Sequence, residues 1–298
     1  MPSLQVTRRD FLHTTAGLAG ATLLAPLAAA AAKPAKRTAV DQVSLGSTGL
    51  KLSRLGIGTG SNGGRVQFEL GREAFNGLVR YAYDQGITYF DCAQGYRTFG
   101  WMGEAIRGLP REKLFLLSKI PGKPEDVLKA IDAHRKNFDT DYVDSLLIHC
   151  MVKEGWTDEW KRIMDAFDEA KEKKWIRAKG VSCHSLPALR AATASDWHEV
   201  HLVRVNPQAK HIDGPEQAVN KPGDDLAPVL AELGKMRAKR RGVIGMKIIG
   251  NGDFTSAEDR ERSIRFAMSR RELDAIVIGC KSRAEIDEAI ARVNSALA

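Results

Sequence analysis

Gly58-Thr59-Gly60-Ser61-Asn62-Gly63 follows an apolar stretch at 54–58 and spells the spacing of a dinucleotide-binding glycine loop. Taken at face value, it would make the fold an open, doubly wound sheet. That motif works only when its glycines run straight into a helix whose N-terminal amides meet a pyrophosphate. Here the helical period begins only near Arg72, and no acidic residue closes a second strand about twenty residues on. As a doubly wound signature the spelling is accidental, and the rest of the chain decides the fold.

Strand signals stand at 54–58, 89–91, 114–119, 145–149, 178–182, 202–206, 243–248 and 275–279. Amphipathic helical stretches stand at 72–85, 99–108, 124–137, 158–174, 186–194, 226–240, 259–270 and 283–297. Eight of each in strict alternation predict an α/β fold, a closed (β/α)8 TIM barrel. Val43-Ser44-Leu45, the turn Gly46-Ser47-Thr48-Gly49 and Leu50-Lys51-Leu52 predict a β-hairpin ahead of it. The barrel domain is thus expected over 43–298, after a linker at 33–42.

Parallel strands of such a barrel end on one rim, where chemistry collects. Asp91, Lys119 and His149 close three of the strands, and Tyr96 lies in the loop after Asp91. A phenol is a weak proton donor at neutral pH unless a cation stabilises its phenolate, a charge Lys119 is placed to supply. A carboxylate beside that ammonium, Asp91, would keep it charged, and His149 could orient a carbonyl oxygen against the phenol. Each residue alone has a plainer reading, such as a capping carboxylate, a packed aromatic, a surface amine or a rim imidazole. Their joint placement favours protonation of a carbonyl oxygen while hydride reaches its carbon, which requires a cofactor.

The motifs Asp91-Cys92-Ala93-Gln94-Gly95-Tyr96, the strand-end Lys119 and Leu146-Leu147-Ile148-His149 resemble those of the aldo-keto reductase family, a likeness running from the hairpin to the last helix. The resemblance implies reduction of an aldehyde or ketone to an alcohol, with Tyr96 as acid aided by Lys119, Asp91 and His149. It also implies a nicotinamide cofactor, NADP(H) in preference to NAD(H), bound without a Rossmann fold. By position Gly58, Thr59 and Asp91 would approach its ribose and nicotinamide, and Ser182 its carboxamide. Gly250 and Gly252 would face the pyrophosphate, and Lys281 and Ser282 the adenosine phosphate. The chain departs from the family's pattern at Cys183, where Asn is usual, at Arg204 for Gln, and at Met246 for an aromatic ring. Lys247 could add a charge for the pyrophosphate, and Glu285 stands near an Arg that grips a 2′-phosphate in relatives. These departures keep open an alternative, a nicotinamide-binding sensor or binding subunit with little turnover.

The 298 residues carry 45 Lys and Arg against 37 Asp and Glu, a net +8. The basic runs at 171–174 and 235–241 end predicted helices, where cations complement the dipole, and no aromatic-interleaved patch points to nucleic acid. The four cysteines form no C-x-x-C pair, and His198-Glu199-Val200-His201 lacks the spacing of a zinc-binding helix, so no metal is expected. Polar loops at 151–160 and 211–225 are the expected substrate walls. Thr7-Arg8-Arg9-Asp10-Phe11-Leu12 precedes a short Ala-rich apolar stretch, which reads as a twin-arginine signal peptide over 1–32 with His13 where Lys is usual. This places the protein, after handling by the twin-arginine export machinery, in the periplasm or another extracytoplasmic space, with no membrane span retained after cleavage.

Overall fold

The computed structural model describes residues 36–298; the export signal expected at 1–32 and the start of the linker lie outside the described residues. Strands β1 (Gln42–Ser44) and β2 (Lys51–Ser53) pair antiparallel with Val43 opposite Leu52. Their turn is shaped by contact with the barrel base. Gly46 adopts φ +51, and a Cβ there would lie 2.3 Å from the Gly242 amide nitrogen. The Gly46 N–H donates to Asp274 Oδ2 at 2.9 Å, pinning the turn.

After the hairpin, each strand hands over to a helix. β3 (Leu55–Gly58) leads to α1 (Arg65–Phe68) and α2 (Arg72–Asp84), β4 (Tyr89–Asp91) to α3 (Phe99–Ile106), and β5 (Phe115–Ile120) to α4 (Val127–Asn137). β6 (Val143–Met151) precedes α5 (Trp156–Glu159) and α6 (Lys161–Glu172), and β7 (Ile176–Cys183) precedes α7 (Leu186–Ala194). β8 (Val200–Arg204) opens a long loop holding the small antiparallel pair β9 (Ile212–Asp213) and β10 (Pro222–Gly223) before α8 (Ala227–Ala238). β11 (Gly242–Met246) with α9 (Ala257–Ser269) and β12 (Ala275–Ile278) with α10 (Arg283–Leu297) complete the chain. The eight strands close as β11-β12-β3-β4-β5-β6-β7-β8, all parallel, the expected barrel.

Side chains alternate along each strand, and the two faces form two cores. Tyr89, Phe115, Leu117, Leu147, Ala178, Leu202, Ile244 and Val277 point inward and join Leu45, Leu50 and Leu52 of the hairpin, which plugs the base. Phe90, Leu116, Ile148, Val181, Val203 and Ile276 point outward against Leu78, Ile131 and Phe167 of the helices. The one-turn helix α1 is too short to carry a period and is absent from the sequence reading, and the helix expected at 158–174 is split into α5 and α6 at Trp160. β8 ends two residues before the expected 206, because Asn206 turns its side chain to the Lys210 and Lys247 carbonyls. Among the described residues, no helix is long and apolar enough to cross a membrane.

His134 of α4 sits edge-on to Phe99 at 5.0 Å, and neither ring nitrogen has a partner among the described residues. Burial, with Lys119 adding to it, pushes this imidazole from 6.5 to about 3. Above pH 6.5 the ring is neutral folded or unfolded; below it, only the unfolded chain takes the proton, so stability falls as pH drops toward 3. The loss is about 1.4 kcal/mol per pH unit for such a group. Replacing His134 by Leu should flatten the decline of melting temperature between pH 6 and 4; an unchanged slope would refute this account.

Candidate active site

Following the inward row to the strand ends gives the rim layer: Gly58, Asp91, Lys119, His149, Ser182, Arg204 and Met246. Asp91 lies opposite Leu117, so Lys119 stands two residues farther along β5 and reaches back. Its Nζ donates to Asp91 Oδ1 at 2.6 Å and to the Cys92 carbonyl at 2.8 Å. The Tyr89 hydroxyl donates to the other carboxylate oxygen at 3.4 Å. Lys119 is only 1% exposed, so the ammonium depends on this carboxylate. Removing one partner of such a pair typically costs about 3–5 kcal/mol. Burial raises the Asp91 carboxyl above its usual range, against the pull of Lys119.

Tyr96 hangs over this pair. Its ring centroid is 5.4 Å from Lys119 Nζ, and the His149 ring meets it edge-on at 5.8 Å. The expected lowering of the phenol by Lys119 is not what the geometry produces. Nζ is committed to Asp91 and the Cys92 carbonyl, while burial, followed by the negative charge of Asp91, raises Tyr96 well above 10.0. The phenol therefore keeps its proton. Burial and the nearby ammonium push His149 down to about 3, leaving a neutral imidazole that can donate one N–H.

The glycine loop acquires a reason here. A Cβ on Gly60 would lie 2.4 Å from the Tyr96 hydroxyl oxygen, and one on Gly64 would lie 3.2 Å from the Tyr96 Cβ. The glycines after β3 make room for a tyrosine. The Tyr96 loop is braced from outside, where Arg97 lies 3.5 Å over the Phe68 ring, which stacks on Trp101 at 4.8 Å.

Beside Tyr96 opens a cavity of about 580 Å³ that runs from Lys119 and Asp91 along the ends of β11 and β12 to Lys281 and Arg292. Of the residues expected to hold a cofactor, Gly58, Asp91, Met246, Lys247, Gly252, Lys281 and Glu285 line it. The others stand behind the wall. Thr59 donates its hydroxyl to the Asp91 carbonyl at 3.0 Å, Ser182 Oγ accepts the Cys150 amide at 3.0 Å, and Cys183 packs in the outer core. Gly250 is buried beneath Phe254, and Ser282 caps α10 by accepting the Glu285 amide at 3.2 Å. Arg204 is buried and bonded to Asp213.

Two departures look different in three dimensions. Glu285 is not a free carboxylate, because it accepts the Lys281 amide at 2.8 Å and lies 3.9 Å from Lys281 Nζ. Lys247, at φ +60, donates to Asn251 Oδ1 at 2.7 Å, and burial with Arg204 and Lys119 nearby pushes it down to about 8. Asn251 in turn bridges to Asn62 across the cavity mouth. Ser61, Asn62, Arg260 and Arg292 also line the cavity and were not assigned to the cofactor from sequence, since a lone hydroxyl, amide or arginine in a loop or helix carries no motif; Asn251 lies in the 249–252 loop expected at the pyrophosphate. Long, glycine-sided and with Lys247 midway and Lys281, Arg260 and Arg292 at one end, the cavity fits an extended anionic ligand such as a dinucleotide.

The profile of the aldo/keto reductase family matches residues 54–297. A 7-acetyl-epi-neemfruitin B aldo-keto reductase of Melia azedarach is 32% identical over 197 residues, 58% of this chain and 59% of that protein. An NADPH-dependent codeinone reductase of Papaver somniferum is 31% identical over 187 residues, 54% of this chain and 56% of that one. The matched region thus spans little more than half the length of these curated relatives. The fold is similar to that of an aldo-keto reductase from Bacillus halodurans in its holo form, with TM-score 0.67 at 15% identity over 86% of this chain and 91% of that one.

Gly60→Ala should fold normally yet displace the Tyr96 ring, since a Cβ at 2.4 Å from its oxygen cannot be accommodated in place. A crystal structure of that variant with Tyr96 unmoved would contradict the packing described above.

Proposed function

This chain belongs to the aldo/keto reductase family, and from that premise we propose that it reduces an aldehyde or ketone to an alcohol with Tyr96 as general acid. The observation that carries the proposal is the rim cluster in which Asp91, Lys119 and Tyr96 line one end of the long cavity and the His149 ring meets Tyr96 edge-on. When bound, a nicotinamide cofactor supplies the hydride taken up by the carbonyl carbon. The residues that would hold it are Gly58, Met246, Lys247, Gly252 and Lys281 along the cavity wall.

The chain's own contribution is a proton. Tyr96 holds it firmly at neutral pH, because burial raises the phenol. The proton leaves as negative charge grows on the substrate oxygen, and the nearby Lys119 ammonium stabilises the phenolate that forms. Neutral His149 donates a hydrogen bond to the same oxygen and fixes it against the phenol. Asp91 keeps the ammonium charged and in place.

We further propose NADP(H) as the preferred cofactor. Support comes from the cavity's end, where Glu285 is engaged by Lys281 and Glu288 by Arg260 and Arg292, so that three cations stand against these two carboxylates and neither is left uncountered to repel a 2′-phosphate. The NADPH dependence named for the poppy relative agrees with this.

The test is consumption of NADPH or NADH with a panel of aldehydes and quinones. Tyr96→Phe should lower turnover by about 10²–10⁴-fold while leaving cofactor affinity unchanged. With cofactor saturating, so that loss of charge on Lys247 near pH 8 does not limit binding, wild-type turnover should stay level through neutral pH and, on the alkaline side, fall only above pH 10, once the raised phenol ionises. Full activity in the Tyr96→Phe enzyme would remove Tyr96 from the mechanism.

We also propose that residues 1–32 direct export through the twin-arginine route, on the strength of Arg8-Arg9 and the alanine run at 28–32. The mature protein from a secreting host should begin just after that run, and N-terminal sequencing that finds Met1 intact in the periplasmic fraction would contradict cleavage.

A further inference from the structure

Tyr89 and Asp91 are two residues apart on β4, so both point into the barrel, one layer above the other. The Tyr89 ring fills the lower layer, fully buried and edge-on to Phe115 of β5 at 5.4 Å. On its other side stands Gly56 of β3, its register partner, where a Cβ would lie 2.0 Å from Tyr89 Cδ1. A ring confined in this way carries its hydroxyl up the barrel to the underside of the rim.

There it meets Asp91. The hydroxyl donates to Oδ2 at 3.4 Å, while Oδ1 takes the Lys119 ammonium at 2.6 Å. Among the described residues, neither the phenol nor Oδ2 has another hydrogen-bond partner. The charged and titratable groups around Asp91 are Tyr89 on its own strand, Lys119 of β5, Lys247 after β11, and Cys92 and Tyr96 in the following loop, with His149 of β6 edge-on to Tyr96. From β3 comes only the Thr59 hydroxyl, which goes to the Asp91 carbonyl. Of all these, Lys119 and Tyr89 alone donate to the carboxylate. Burial raises the Tyr89 phenol well above 10.0, so it stays a donor through neutral pH.

A hydrogen bond to a carboxylate favours its charged form, whereas burial favours the protonated one. Protonating Asp91 would leave the Lys119 ammonium buried without a counter-charge. We propose that Tyr89 is a positioning residue for the reduction, its hydroxyl holding Asp91 Oδ2 so that the carboxylate stays ionised and turned toward Lys119 as the pH falls. The inference rests on the reading of the rim as a carbonyl-reducing site, and it gives the buried phenol a role beyond filling the barrel. The sign follows directly. Without the hydroxyl, Asp91 takes up its proton at a higher pH, and turnover is lost sooner on acidification.

The experiment follows kcat and KM against pH in the full chain and in Tyr89→Phe, with NADPH saturating and the most rapidly reduced aldehyde, over the range in which circular dichroism shows both folded. The acid limb of kcat should move up by about one pH unit in Tyr89→Phe, the size suited to one long hydrogen bond to a carboxylate, so that turnover at a fixed pH on that limb drops about tenfold. KM and the alkaline limb set by Tyr96 should stay in place. The Asp91 carboxyl, observed by NMR of carbon-13 aspartate and assigned with Asp91→Asn, should titrate at a correspondingly higher pH, a readout independent of turnover. Gly56→Ala, which displaces the ring with its hydroxyl intact, should shift both in the same direction and gives the answer if Tyr89→Phe does not fold. An acid limb or an Asp91 signal left in place in a folded variant overturns the inference. A lowered melting temperature with the limb unmoved, the result of packing alone, overturns it as well. A wild type that reduces no carbonyl compound overturns the functional reading, and the inference with it, a result distinct from an unmoved limb.

Discussion

A lysine ammonium sealed from water needs a counter-charge, and the Asp91 carboxylate at 2.6 Å from Lys119 meets that need where β4 and β5 end. Much of the rim follows from this ion pair. It holds Lys119 back toward β4, where Nζ also engages the Cys92 carbonyl at the start of the loop that carries Tyr96. The cation is thereby fixed below the tyrosine ring instead of swinging toward solvent. Because Asp91 is opposite Leu117, the contact depends on the stagger between neighbouring barrel strands, so the closed fold and the charge pair support one another.

The space around the tyrosine is set by residues that have no chemistry of their own. Gly60 and Gly64 clear the volume occupied by the phenol, and Gly279 admits Ser61, whose oxygen would lie 2.0 Å from a Cβ there. Gln67 then ties Ser61 to the Cys280 carbonyl, joining the loop after β3 to the end of β12. The outside of the Tyr96 loop rests on the stack of Arg97, Phe68 and Trp101. Backbone shape and stacked rings thus hold in place a side chain that the ion pair alone would leave free to rotate.

The fold was legible because a strand buried on one side against a barrel interior and on the other against helices leaves a strong local mark. Tyr89-Phe90-Asp91 and Leu186 to Ala194 fall where expected to the residue. The rim quartet was legible for the same reason, since Asp91, Lys119 and His149 are polar residues ending apolar runs. What local pattern cannot carry is the partner of a side chain. Asp213 becomes meaningful only once β9 brings it to Arg204, nine positions back, and Glu285 changes its meaning once Lys281 is seen beside it. Gly60 was legible as a glycine but not as a cleared volume, because the ring that needs the space arrives from a different strand.

The raised phenol and the paired ammonium together indicate how the rim would keep its proton until it is needed. Were Lys119 unpaired and pointing at the hydroxyl, Tyr96 would ionise easily and the acid would be spent before a substrate arrived. With Asp91 neutralising much of that charge and burial opposing the phenolate, the resting site favours a protonated ring. In the proposed reaction, a substrate oxygen gaining negative charge would reverse the balance, because it would supply a stronger base beside a cation only 5.4 Å from the ring centre. In the proposed mechanism, proton transfer would then be coupled to charge development at the carbonyl, and an aspartate that weakens the resting lysine field would make the coupling tight.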